Sequence, residues 1–162
     1  MARGGVERVT VGGSFISHTT VDIPEIEIQH ECPDHTEAIQ LIMDTLVSRE
    51  HGAIDDLSSV QAVGHRVVHG SDKFAKSIII NDEVIATFEA NQHLAPLHVP
   101  ANLKGIEGAM KVLPNAPHCA IMDTAWHQTM PDSSFMYALP YEWYTDYGVR
   151  RYGFHGTSFL YC

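Results

Sequence analysis

An α/β fold is predicted by three features of the 162-residue chain. Two stretches with β-type alternation open it, Val6–Val11 and Thr19–His30. Three helical patterns follow, over 34–50, 81–93 and from Pro100 onward, interleaved with a β-branched run at 60–70. A short apolar strand, 118–122, then runs into Asp123-Thr124, and strand ends of this kind carry carboxylates to the ligand-binding edge of α/β sheets. The length suits one domain with a real core.

In the first stretch Val6, Val9 and Val11 lie within VERVTV, and Gly12-Gly13-Ser14 reads as a turn. The second places Val21, Ile23, Ile26 and Ile28 at its apolar positions. Pro24 interrupts its register and marks an edge or a bulge. Consecutive strands at the start predict antiparallel pairing. Asp34 followed by Glu37 resembles a capping box, and Ile39, Ile42 and Leu46 keep helical spacing up to a stop near Gly52. Asn81 caps the second helix. Pro100 opens the third, with Leu103, Ile106, Met110 and Leu113 as its buried stripe.

Four segments carry chemistry-bearing residues. In VQAVGHRVVHG, the period of a strand puts Arg66 and Val68 on one face and His65 and His69 on the other. An arginine at the end of a core strand needs an anionic partner, either a ligand or an internal carboxylate. His65 and His69 sharing a face also admits a metal pair, although no third ligand lies nearby. In LAPLHVP, Pro96 and Pro100 fix the backbone around His98, which suits a ligand donor or a solvated linker histidine. Asp123 reads either as a carboxylate that meets Mg²⁺, directly or through water, or as a turn cap. The stretch Tyr137–Ser158 packs a Trp, six Tyr or Phe, Arg150, Arg151, His155 and three glycines into 22 residues. Such a segment forms either one wall of an anion site or an aromatic layer over a sheet.

The composition narrows the partners. A net charge of −10 disfavours nucleic acid, because phosphate backbones select basic faces. No apolar run reaches a membrane span, and no secretory h-region is visible, so neither membrane nor export is expected. Cys32, Cys119 and Cys162 are widely spaced and odd in number, which reads as free thiols in a reducing cytoplasm. Walker and GxGxxG phosphate loops do not occur in the sequence.

Together the segments supply a strand arginine, a pinned histidine, a strand-end aspartate and a second histidine in a glycine turn. Phosphoryl transfer uses such a set, since its catalysis is mostly positioning and charge stabilisation. In order, VGHRVVHG, LAPLHVPANLKGI, MDTAWHQTMP and YALPYEWYTDYGVRRYGFHGTS resemble the signature segments of the acetate kinase (acetokinase) family. The resemblance runs from about Val6 to Ser158. It implies an actin/hexokinase/Hsp70-like (ribonuclease H-like) domain, with a mixed sheet and flanking helices, incomplete in this chain.

The family's reaction is reversible transfer of the γ-phosphoryl of ATP to acetate, giving acetyl phosphate and ADP, with Mg²⁺ or Mn²⁺. By resemblance, Arg66 binds the acetate carboxylate and the phosphoryl group, and Asp123 is the Mg²⁺-associated catalytic aspartate. His155 and His98 are active-site histidines, and Val68, Leu97 and Phe154 surround the acetate methyl. Full-length family members are expected to be cytoplasmic homodimers. The resemblance further implies that residues 1–162 correspond to the N-terminal domain. An early strand with a phosphate-binding turn, and the C-terminal nucleotide domain, then lie outside it.

Val99, Ser71 and Phe159 stand where the family pattern has Asn, Gly and His, and the ending Phe159–Cys162 departs from it. Because the nucleotide domain and the early strand lie outside these residues, little or no kinase activity is expected of the chain alone, together with marginal solubility or self-association. Two alternatives stay open: a propionate or butyrate kinase of the same family, and a non-catalytic binding or dimerisation fragment.

Overall fold

The computed structural model describes residues 1–162, which divide into two compact units. The first unit comprises residues 1–63 and 104–117, and the second 64–103 and 118–162.

In the first unit, β1 (Ala2–Glu7), β2 (Phe15–Thr20) and β3 (Ile26–Gln29) form an antiparallel meander in that order. Ile16 of β2 faces Val6 and Ile28 and is almost fully buried. The predicted strand at Val6–Val11 thus lies further upstream. Its second half is a turn in which Arg8, Thr10, Gly12 and Gly13 all take positive φ. Ser14 pins that turn, donating from Oγ to the Arg8 carbonyl and accepting from the Cys32 amide. The predicted Thr19–His30 strand divides in two. Pro24 falls in the break, where the Thr20 amide and the Thr19 hydroxyl both donate to the Ile23 carbonyl.

Helix α1 (His35–Leu46) packs on β1 and β2. Asp34 caps it by accepting from the Glu37 amide at 2.9 Å. The reciprocal half of the expected capping box is replaced, because Glu37 instead meets His30 at 3.0 Å. The helix also ends earlier than expected. Residues 48–52 form a separate turn closed by the Gly52 amide on the Ser48 carbonyl.

The second unit holds a mixed sheet in the order β4-β6-β5, with β4 (Val63–Val67), β5 (Ile78–Ile79) and β6 (His118–Met122). β5 is antiparallel to β6. The Val63 amide bonds the Pro117 carbonyl and the Asp123 amide bonds the Val67 carbonyl, so β4 and β6 advance together as parallel neighbours. Central β6 is apolar for this reason: Ala120 and Met122 are buried.

Helix α2 (Asp82–Ala90) is capped by Asn81, which accepts from the Val84 amide, and it buries Val84 and Phe88. Helix α3 (Val99–Val112) begins in this unit and continues into the first. Leu103, Ile106 and Leu113 are buried as predicted, but Ala109 takes the place expected of half-buried Met110. After β6 come a 3₁₀ turn (Ala125–Thr129) and three short helices, α4 (Asp132–Phe135), α5 (Glu142–Tyr147) and α6 (Gly156–Tyr161).

Candidate functional site

All seven residues assigned by resemblance fall in the second unit. Parallel pairing of β4 and β6 brings the ends of both strands together, and with them Arg66 and Asp123. Nε of Arg66 donates to Oδ1 of Asp123 at 3.1 Å, and a terminal guanidinium nitrogen donates to Oδ2 at 2.7 Å. The alternation of β4 explains the geometry: Gly64 and Arg66 lie on the open face, while Val67 is buried. The pair is asymmetric. The Asp123 side chain is 3% exposed and that of Arg66 is 65% exposed. The hydrogen bonds to Asp123 hold the Arg66 guanidinium even more firmly protonated than usual. Of the two partners considered for Arg66, the structure supplies the internal carboxylate. The second terminal nitrogen of its fork makes no bond to Asp123 and sits on a solvent-exposed side chain, which leaves donors for an anion.

Asp123 is held by its backbone as well. Its carbonyl accepts from the Gly156 amide at 2.9 Å. A Cβ at Gly156 would fall onto that carbonyl oxygen, so only glycine permits the approach. Thr124, fully buried, accepts from the Gly70 amide through its hydroxyl at 3.0 Å. The turn after β4 is thereby tied to the end of β6.

His65 and His69 do not form a pair. The His65 ring stacks on His118, with Nε2 and Nδ1 2.9 Å apart, and burial lowers its pKa. His69 is buried, and its Nδ1 accepts from the Ser71 amide at 2.9 Å. Each ring is committed to a different partner, which overturns the metal-pair reading.

In the aromatic stretch, Gly153 takes φ +78° and lies against the His127 ring, where a Cβ would clash. His127 donates from Nε2 to the Phe154 carbonyl at 2.8 Å. His155 follows in the left-handed region with an exposed side chain. The two arginines expected to face an anion act mainly as staples. Arg150 lies 3.8 Å above the Phe135 ring, and Arg151 bonds the Phe135 and Ser134 carbonyls through its amide and guanidinium.

His98 and Leu97 precede α3 in a turn where both are exposed, Leu97 by 86%. Phe154 is 41% exposed, so Val68, Leu97 and Phe154 do not enclose a pocket here. Asn102 links this turn to β4. Its amide donates to the His98 carbonyl, and its Oδ1 accepts from the Val68 amide at 3.1 Å. Asn102 and His127 were not picked out from the sequence. Their spacing carries no signal, because their partners are far away in the chain.

A mixed sheet that sets a buried aspartate beside an arginine on the neighbouring strand makes this an α/β unit, and its solved relatives give the class as actin- and hexokinase-like. The acetokinase family model matches residues 1–162. Acetate kinase of Treponema pallidum (strain Nichols) is 56% identical over 99% of the chain and 36% of its own length. That of Geobacter metallireducens is 55% identical over 99% and 38%. The crystal structure of Porphyromonas gingivalis acetate kinase superposes with a TM-score of 0.91 at 45% identity, covering 98% of this chain and 40% of that one. A propionate kinase from Francisella tularensis subsp. tularensis SCHU S4 follows at 0.88 and 35%, covering 99% and 40%. The chain belongs to the acetokinase family. It spans 36% and 38% of the length of these two curated relatives.

Proposed function

We propose that this chain carries the carboxylate- and phosphoryl-handling part of an acetate kinase, whose whole protein transfers the γ-phosphoryl of ATP to acetate. The observation that carries the reading is the asymmetric pair of buried Asp123 and exposed Arg66 at adjacent strand ends. In the reaction a carboxylate oxygen of acetate forms a bond to the γ-phosphorus as the bond to ADP breaks, with no proton exchanged. Two anions must approach each other, so the acceptor's charge has to be offset. Arg66 does this with the donors that Asp123 leaves over, and Asp123 keeps the guanidinium fixed in direction. His155 and His98 are exposed and supply donors to the phosphoryl oxygens. Val68, Leu97 and Phe154 supply the apolar side of the acceptor site.

A divalent cation, Mg²⁺ or Mn²⁺, fits only in part. Both Asp123 oxygens accept from Arg66, and no group of three or more His, Cys, Asp or Glu side chains gathers into a metal cage. Asp123 is the residue that would hold such an ion, and it would do so indirectly. The chemistry it would supply there is charge neutralisation on the transferring group.

The chain alone provides the acceptor side and turns over little or not at all. The test is binding of acetyl phosphate, followed by ligand-observed NMR on the purified chain, alongside a hydroxamate assay with ATP, Mg²⁺ and acetate. Binding that disappears in Arg66→Ala is expected. Binding unchanged by Arg66→Ala and Asp123→Ala would overturn the site, and robust turnover by the chain would overturn the division of labour. The propionate kinase neighbour and the open wall at Leu97 and Phe154 favour a second reading, a longer acyl acceptor. One methylene changes selectivity by only about 1–3 kcal/mol. Competition between acetate and propionate separates the two.

A further inference from the structure

His69 has no role in the reaction as derived above, yet it is among the largest fully buried side chains. It stands two residues past the end of β4. Its Nδ1 accepts from the Ser71 amide, so that nitrogen carries no proton and the neutral ring holds its N–H on Nε2. Ser71 needs the support, because it takes φ +58° without being glycine. On its other side the ring meets Tyr152 edge-on at 4.6 Å and Phe154 at 5.6 Å. Tyr152 is anchored by its hydroxyl on the Gly148 carbonyl, and Phe154 by His127 on its own carbonyl. The His69 ring therefore contacts, at once, the turn that follows Arg66 and the loop that leads into His155.

We propose that His69 is a positioning residue. Fixed as the Nε2–H tautomer, it sets the Phe154 wall of the acceptor site relative to the end of β4. The structural half of this stands on the geometry alone, and the consequence for acyl binding rests on the function proposed above. The ring must stay neutral to do this, since a proton on Nδ1 would meet the Ser71 N–H head-on. Burial disfavours that proton, and His93 acts in the same direction. Asp72, Arg150 and Tyr144 act on the adjoining Tyr152 hydroxyl.

The decisive measurement is imidazole ¹⁵N NMR on the full chain, with two variants that divide the side chain's contacts. His69→Phe keeps a ring and deletes the acceptor. His69→Asn keeps an acceptor near the Nδ1 position and deletes the ring. One histidine is expected with bare Nδ1 and protonated Nε2, unchanged from about pH 8 to about pH 5.5, and absent in His69→Phe. The Phe154 and Tyr152 ring protons should shift in His69→Asn and hold in His69→Phe, while the Ser71 amide proton does the reverse. Acetyl phosphate should bind roughly three- to tenfold more weakly to His69→Asn, the scale of a lost aromatic contact. An Nδ1–H tautomer, titration near the ordinary histidine range, or unmoved Phe154 protons in His69→Asn would overturn the proposal. The wild-type tautomer and titration decide it even if a variant does not fold. If wild-type chain does not bind acetyl phosphate, the functional reading fails, and the tautomer and ring shifts still decide the role of His69.

Discussion

Removing the Arg66 side chain tests the asymmetry of the site most directly. Arg66→Ala deletes two charge-assisted hydrogen bonds, at 3.1 and 2.7 Å, and leaves behind a carboxylate that is 3% exposed. Truncating one member of a fully buried pair costs about 3–5 kcal/mol, and exposed pairs contribute about 0.2–1 kcal/mol. The guanidinium is 65% exposed while its partner is buried, so the expected loss is about 2 kcal/mol, between those limits. Urea unfolding followed by tryptophan fluorescence suits the question. Both tryptophans, Trp126 and Trp143, lie in the second unit together with the pair, so separate unfolding of the first unit does not blur the signal. Asp123→Ala in the same background should cost less than it does alone, since the charge to be compensated is already unpaired. A variant within about 0.5 kcal/mol of wild type near neutral pH would refute the reasoning.

His69 supplies the pH signature of this unit. Its pKa is lowered from 6.5 to about 4, so the unfolded chain takes up a proton first as the pH falls. Stability due to this group is complete above about pH 6.5 and declines down to about pH 4. The loss between about pH 7.5 and about pH 5 is about 2 kcal/mol, and His69→Phe should remove that part of the slope in urea titrations at each pH. Gly156→Ala pushes a methyl group onto the Asp123 carbonyl and the Trp126 side chain. A loss of about 1–3 kcal/mol and altered Trp126 emission are expected, and unchanged emission would count against the close approach. Asn102→Ala strips the acceptor from the Val68 amide, costing about 1–2 kcal/mol and speeding exchange of that amide proton, whereas Asn102→Asp should restore protection. Tyr141, Tyr147, Leu160 and Tyr161 are all more than half exposed, so sedimentation should show concentration-dependent association, and a monodisperse monomer at high concentration would contradict it.

What the sequence by itself determined follows rules that act over a few residues. Asp34 and Asn81 cap helices because their side chains reach amides three residues ahead. Arg66 lies on the open face of β4 because strand side chains alternate, and Asp123 ends β6 because an apolar run stops there. Membership of the acetokinase family was legible in the order of four segments. The local reading erred where the backbone turned left-handed. The positive φ at Arg8 and Thr10 moved β1 upstream, and neither residue type announces it.

Only the tertiary structure decided the pairings. Arg66 meets Asp123 across 57 positions, His65 meets His118 across 53, and Asn102 reaches Val68 across 34. Which of two partners Arg66 took, and why His69 could not join His65, depended on strand order and on which amide each nitrogen reached. Hydrogen bonds and ion pairs act over a few ångströms of space, and sequence spacing specifies such distances only within a single helix, strand or turn. Beyond that range the packing of β4 against β6 sets them.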